Sequence, residues 1–470
     1  MRVREETRAA TVHRWRWAAL ATLLAAEAMN LLDATIVQVA APVVRRDLGG
    51  GESGIQWFGA AYTLPFAVLL ITGGRLGDIA GRRRVFALGV AGFAVASACC
   101  AAAPSAGALI AARAVQGAAA ALIIPQTIGL IRAMFDGPET AKAFGSIGPV
   151  MGLSAICGPV LGAVLTHAVS WRAAFLVNLP LAAGVLATVP LLPEDRAEHR
   201  PRLDAAGTAL ATAGAAMIVY PLIQGDSAGR PAWMWAVLAG GALLLAVFAL
   251  HQRRAAAPLV EPSLFSGRGF PAALATSALF FAVMNGLMVV VVLQIQLGLG
   301  QDVLTAGLTL LPWSAAMAAA SWLAGTRLVP RFGPRLMVAG LAVMLAGVCA
   351  AVPVYRAYPD GYPWPLLGAL ALAGTGNGLF TVPFFTAALA RVRPHETGSA
   401  AGLLNAVQQF GGTLGIAVLG TAFFRALPHG PASAAQVAFG LAAALLAAAA
   451  GTAVLMGRWR PRRSSRRSAG

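Results

Sequence analysis

Two carboxylates stand where a hydrophobic stretch should carry none. Glu27 and Asp33 lie inside an apolar run from about Trp17 to Val44, and with Asn30 between them they recur at every third residue. On a helix of 3.6 residues per turn each step turns the side chain by about 60°, so the three make one polar ribbon with about 9 Å of rise. A charged group near the bilayer centre costs ~2.5–3.5 kcal/mol on insertion scales and is a functional hypothesis by default. Such a ribbon must face a bundle interior or a watery cavity. Arg113 is the one basic residue deep in an apolar segment. Its burial asks for a partner, and Asp33 or Glu27 is the natural one. A proton arriving on the acid would release the arginine, which is the chemistry of proton coupling. A permanent ion pair that merely holds helices together is the plain alternative.

The elements that must position these groups follow from composition. Of 470 residues, 58% are hydrophobic and 11% charged, whereas soluble domains carry about 25% charged residues. The chain is therefore an all-α polytopic membrane protein, since backbone polar groups in lipid must be satisfied within each span. A net charge of +17 could suggest nucleic acid, but nearly all of it is arginine set in loops and termini, with Lys142 the sole lysine. That placement marks membrane topology, so nucleic acid is not expected as a partner. Cys99, Cys100, Cys157 and Cys349 lie in apolar segments without CxxC spacing, and the six histidines are scattered. Neither a metal site nor a cofactor is indicated. No GxxxxGK[ST] run and no nucleophile–base pair occurs, which leaves an ion gradient as the energy source and argues against an enzyme.

A span needs about 20 apolar residues, and fourteen segments qualify: 16–43, 55–75, 84–103, 106–134, 142–166, 171–193, 204–223, 232–250, 269–298, 304–328, 335–355, 363–390, 399–425 and 435–457. The first, although preceded by arginines, is too long and too acidic for a signal peptide and reads as a retained span. Counting alternate loops from an inside start, 28 of the basic residues fall on one side and 6 on the other. The positive-inside rule then puts both termini in the cytoplasm of a plasma-membrane protein. The basic run from Arg458 to Arg467 reads as an anchor on the membrane surface.

An internal repeat divides the spans. Gly73, Gly81 and Arg83 recur as Gly325, Gly333 and Arg335, and Gly158 and Gly162 as Gly411 and Gly415. The offset fits two six-helix bundles with a two-helix insert, giving units of 1–200, 201–255 and 256–470. The series Gly148, Gly152, Gly158 and Gly162 reads as small residues on one helix face, where backbones pack closely. Gly374-Thr-Gly376-Asn-Gly378 lacks the lysine and strand of a phosphate loop and reads as helix packing.

The loop after the second span reads Gly74-Arg-Leu-Gly-Asp78-Ile-Ala-Gly81-Arg82-Arg83. Its glycines permit a tight turn, and Asp78 stands at a helix end, placed to cap a neighbour or pair with arginine. With this stretch the chain resembles the major facilitator superfamily, and in particular its fourteen-helix drug:proton antiporter family. Leu32-Asp33-Ala-Thr35 with Ala40-Ala-Pro42, Arg113-Ala-Val-Gln116-Gly117, Gly152 with Gly158-Pro159-Val-Leu-Gly162, and Trp171-Arg172 through Asn178-Leu-Pro180 are similar to that family's signatures. The likeness runs over nearly the whole chain. Ala163 and Gln38 depart from its pattern, and Pro330 stands opposite Asp78 in the repeat.

The resemblance implies a secondary transporter that exports small amphipathic compounds, drugs and antibiotics, in exchange for protons by alternating access, working as a monomer. Asp33, Glu27 and Arg113 would couple the proton. Gly74, Asp78, Gly81, Arg82 and Arg83, with Gly152, Gly158, Pro159 and Gly162, would carry the conformational change. Polar positions within spans, namely Asn30, Gln38, Gln126, Asn285, Gln294, Asn377, Asn405 and Gln408, are candidates to line the substrate site at the midplane. Each alone reads equally well as interhelical glue. No span of the second half carries an acid. An uncoupled facilitator or importer, and a membrane sensor that has lost transport, remain as other readings.

Overall fold

Among the described residues of the computed structural model, fourteen helices are long and apolar enough to cross a membrane. In chain order, α1 is Arg16–Leu48, α2 Ser53–Ala80, α3 Arg82–Ala101, α4 Ala106–Met134, α5 Val150–Ala168 and α6 Ala173–Leu191. Next come α7, Ala205–Gln224, and α8, Ala232–Gln252. The remainder are α9, Gly269–Gly298; α10, Val303–Phe332; α11, Arg335–Ala357; α12, Leu366–Leu389; α13, Ser399–His429; and α14, Pro431–Met456. The structure describes residues 15–49, 51–135, 138–195, 203–224, 232–255, 258–359, 361–390, 392–393 and 397–458. The N-terminal arginines before Trp15, the tail beyond Arg458 and the loop around residue 200 lie outside the described residues.

The helices pack twice in the same pattern. In the first half α2 and α3 lie against α4, while α1 lies against α5 and α6. In the second half α10 and α11 lie against α12, while α9 lies against α13 and α14. Small residues set these pairings, because only a missing side chain lets two backbones approach so closely. Gly117 of α4 rests on the Tyr62 carbonyl of α2, and Gly374 of α12 rests on the Trp313 carbonyl of α10. Gly162 meets Ile36 of α1, and Gly415 meets Ala282 of α9. Gly81 and Gly333, with φ of 100° and 56°, end α2 and α10 in the left-handed region that favours glycine.

The glycine-rich stretch after the second span differs from its reading as a loop. Residues 74–80 are the last turns of α2, and only Gly81 breaks the helix. The Gln126 side chain of α4 occupies the space that a Cβ at Gly77 would fill, so these glycines serve helix contact. The glycine series of α5 likewise serves two faces rather than one. Gly158 and Gly162 face α1, whereas a methyl built on Gly152 would stand 3.7 Å from that of Ala318 in α10. The surroundings of Gly148 lie outside the described side chains.

The two halves meet along two seams, α2 against α13 and α5 against α10. Helix α7 lies over the first seam. Thr208 bonds Thr72 of α2 at 2.9 Å, and the Leu222 carbonyl accepts from Thr421 of α13 at 3.0 Å. Ala60, Leu64, Val219, Ile223 and Ala417 form an apolar cluster beneath it.

Candidate functional site

Asp33 has no exposed surface, and both of its carboxylate oxygens are engaged. Oδ2 accepts from Arg113 Nη1 at 2.5 Å. Oδ1 accepts from Gln116 Nε2 at 2.9 Å and from Asn178 Nδ2 at 2.8 Å. Arg113 in turn donates to Gln116 Oε1 at 2.7 Å and, through Nε, to the Phe58 carbonyl at 3.1 Å. Its guanidinium lies 4.3 Å from the centre of the Tyr62 ring, a cation–π contact. Ser97 closes the network: it accepts from Asn178 at 2.9 Å and donates to the Phe175 carbonyl at 2.9 Å.

Helices α1, α2, α3, α4 and α6 thus converge on one ion pair. Removing opposite charges from water is costly, and their attraction repays it only when the remaining lone pairs and donors are also satisfied. Gln116 and Asn178 supply that satisfaction here. Gln116 stands three residues from Arg113, one helical step away on the same face. That spacing and the family-like stretch Arg113-Ala-Val-Gln116-Gly117 were the signals for it; Asn178 stood in the family-like stretch Trp171 to Pro180 without a role assigned to it, and Ser97, from a distant segment, gave none. Of the two acids, Asp33 is the partner of Arg113. Glu27 is half-buried beside Thr127 of α4 and makes no ion pair with a described residue.

The other polar positions fall into two groups. Asn30 accepts from the Tyr62 hydroxyl and so extends the network. Gln126 braces α4 against α2 by donating to the Gly73 carbonyl at 2.8 Å, and it lies inside the first half. Gln294 is buried in the π-helical turn that ends α9, and Asn377 is buried in α12, where it accepts from Thr381 at 3.1 Å. Gln38 and Asn285 lie where the halves face each other, and Asn405 and Gln408 stand on α13, a helix of the first seam. Gln38 donates to Asn285 of α9 at 3.4 Å. Asn405 and Gln408 are half-exposed on α13, between Gly402, which faces Ile71, and Gly412, which abuts Asn285. Gln296, which did not stand out in the sequence, donates to the Val39 carbonyl of α1 at 2.8 Å. Helix α1 therefore holds Asp33 on one face and touches the second half with another.

At the arginine-rich end, Asp78 accepts from Arg82 at 2.8 Å, and Arg82 also pairs with Asp195 after α6 at 2.7 Å. Arg83 lies 3.6 Å from Glu194. Gly74 packs on Pro125 of α4. Across the α5–α10 seam, Gly307 fits against the Pro159 carbonyl, where a Cβ would come within 2.8 Å.

Comparison with known proteins adds four findings. A family model described as Major Facilitator Superfamily matches residues 23–416. The chain is 44% identical to a "Probable actinorhodin transporter" of Streptomyces coelicolor over 87% of this chain and 72% of that protein. It is 39% identical to the "Puromycin resistance protein pur8" of Streptomyces alboniger, over 86% and 81% respectively. Among solved structures, a POT family transporter in complex with 5-aminolevulinic acid aligns with a TM-score of 0.69 over 93% of this chain and 96% of that one. At 12% identity that likeness speaks for the fold.

Proposed function

Because this chain belongs to the Major Facilitator Superfamily and takes its place among the superfamily's drug exporters, we propose that it moves small amphipathic antibiotics out of the cell in exchange for protons. The reading rests above all on the buried Asp33–Arg113 pair and its position on α1. Protonating Asp33 removes one charge of the pair and loosens α1 from α4. The same helix bears on α9 through Gln38 and Val39, so a change at the acid reaches the contact between halves. Rocking of spans one to six against spans nine to fourteen then exposes the space between them to one side of the membrane at a time. On this reading both termini lie in the cytoplasm, which the excess of arginine in the alternate loops supports. Gln38, Asn285, Asn405 and Gln408 are the polar groups available to substrate between the halves. Glu27, half-buried and outside the ion-pair network, adjusts which compounds are carried or the pH at which they move.

Proteoliposomes with an imposed pH gradient test this reading. Asp33→Asn is expected to abolish gradient-driven export while counterflow of bound substrate persists, and Glu27→Gln to shift the substrate range or pH optimum while coupling survives. Gradient-driven transport intact in Asp33→Asn would overturn the assignment, and its loss only in Glu27→Gln would transfer the role. Export by the wild type that a protonophore leaves unchanged would favour the uncoupled facilitator.

A further inference from the structure

Arg113 with Asp33, Arg172 with Asp47, and Arg82 with Asp78 and Asp195 all tie the first half to itself. A further pair, at the end of the bundle away from the arginine-rich loops, ties the first half to the second. His167, in the last turn of α5, sets Nδ1 3.5 Å from Oδ2 of Asp302. Asp302 caps the start of α10 and accepts from the Thr305 amide at 2.8 Å. Hydrogen bonds from Thr305, and then the nearness of His167, hold its carboxyl below the usual carboxylate range. Asp302 therefore stays charged between about pH 5 and 8, where histidine changes its charge.

The halves meet tightly at this end. In the same seam a Cβ on Gly307 would come within 2.8 Å of the Pro159 carbonyl. In the other seam Gln56 of α2 donates to the Thr421 hydroxyl at 3.4 Å and fills the space that a Cβ at Gly420 would take. Toward the arginine-rich end the described contacts are looser. A methyl on Gly152 would stand 3.7 Å from that of Ala318, and one on Gly402 would stand 3.8 Å from Ile71. The helices packed on α5 bring further charged groups to the tight end: Arg45, Arg46 and Asp47 from α1, and Arg172 just before α6. Asp47 is engaged by the Trp171 indole and by Arg172, each at 2.8 Å. On the far side of α10, Tyr362 bonds Thr309 at 2.7 Å, two turns from Asp302. Asp302 is the carboxylate within ion-pair reach of His167.

We propose that His167 and Asp302 form a second proton site, apart from Asp33, whose protonation latches the two halves together at this end. A neutral imidazole adds no charge attraction to the seam. A proton on the ring makes an ion pair that must break before α5 and α10 can part. The two side chains are 51% and 47% exposed, so protons reach the ring from solvent without entering the bundle. The same exposure makes the attraction the modest one of a surface pair. Modest strength suits a latch, because a ligand shifts a two-state balance only by its preference for one state. The latch itself rests on geometry. That it faces the exterior rests on the topology proposed above, and on the exchange reading external acid would then both load Asp33 and favour closure of that face.

Spin labels on A102C and A357C, exposed positions at the same ends of α3 and α11, test the latch by pulsed distance measurement. The full chain is used in nanodiscs, with its four native cysteines replaced by alanine. The ratio of open to closed populations at this end is expected to fall about two- to five-fold from pH 8 to pH 5, the range for an exposed ion pair. High salt should shrink that change by screening. H167Q should remove the His167 part of the response. D302N should do the same while keeping the helix cap, since Asn caps as well as Asp. H167K should be as closed at pH 8 as the parent is at pH 5. Repeating the series in Asp33→Asn separates the latch from the coupling acid, and a pH response that persists there and vanishes with H167Q supports the latch. A response undiminished by H167Q, or H167K no more closed than H167Q, would overturn it. Loss of the whole response in Asp33→Asn with His167 intact would also overturn it, and would leave proton exchange at Asp33 standing.

Discussion

The cores of the two halves share a frame and differ in what it holds. Counting from Gly117 on the Tyr62 carbonyl and Gly374 on the Trp313 carbonyl, the position of Arg113 corresponds to Leu370 and that of Gln116 to Ala373. Counting from the contacts of Gly162 with Ile36 and of Gly415 with Ala282, the position of Asp33 corresponds to Leu279. Leu370 and Ala373 are each 1% exposed, as Arg113 is. Below them Phe280, Phe380 and Phe384 stack, with ring centres 3.9 and 4.9 Å apart. One frame thus closes over an ion pair in the first half and over aliphatic and aromatic side chains in the second. The frame does not need the charges for its stability. Their retention in one half is what a coupling site predicts, and their absence from the other leaves that half to supply shape.

The sharpest way to break this contrast is to exchange the contents. Leu370→Arg would bury a cation without a partner among apolar neighbours, at a cost of about 3–5 kcal/mol or more. Loss of monodisperse protein on size-exclusion chromatography is expected, and a well-folded Leu370→Arg protein would show that the second core tolerates charge. The converse exchange separates stability from function. Asp33→Asn alone leaves Arg113 buried and uncompensated, and thermal unfolding should register a loss of about 3–5 kcal/mol. Asp33→Leu/Arg113→Leu/Gln116→Ala, which copies the second half, should recover most of that loss, since apolar replacement of a buried pair is often neutral or better. Proton-driven export should not return with it. Recovery of transport would make the pair a brace and nothing more.

The smallest effects test how tightly matched helices meet. A Cβ on Gly162 would stand 2.9 Å from the Ile36 Cα, and one on its counterpart Gly415 would stand 2.5 Å from the Ala282 Cα and closer still to its carbonyl. Gly162→Ala should therefore cost roughly 1–3 kcal/mol of overpacking, and Gly415→Ala more. A larger fall in the unfolding midpoint for Gly415→Ala would support the closer contact of α9 with α13, and an equal or smaller fall would show that this contact is the looser of the two.

How much of this the sequence disclosed depends on the range over which each signal acts. Span number and repeat were legible because a span is a local count of apolar residues and a repeat is a comparison of the chain with itself. The pair Asp33–Arg113 was half legible: burial of two opposite charges in one membrane demands that they meet, but Glu27 satisfied the same demand on paper. Only the packing of α1 on α4 decides between them, by setting Glu27 beside Thr127. Ser97 escaped notice, and Asn178 was noted only within a family-like stretch, because their roles depend on α3 and α6 arriving at the same point. Gln126, Gln294 and Asn377 drew attention as polar residues in spans, yet each turned out to lie within one half, bonded to or packed on nearby backbone or side chain. Polarity alone does not reveal the direction in which a side chain points.

Helix α7, finally, gives the molecule a spine. It rides on α2 and α13 at once, through Thr72 on one side and Thr421 on the other, while no helix among the described residues lies in this way over the seam of α5 and α10. The two halves are bound like the covers of a book along α7, and the opposite edge, where Gly307 lies against Pro159 and Ala163, has no such helix over it among the described residues. The two flanks of the molecule are therefore unlike: a helix spans one junction between the halves, and a contact of glycine on backbone closes the other.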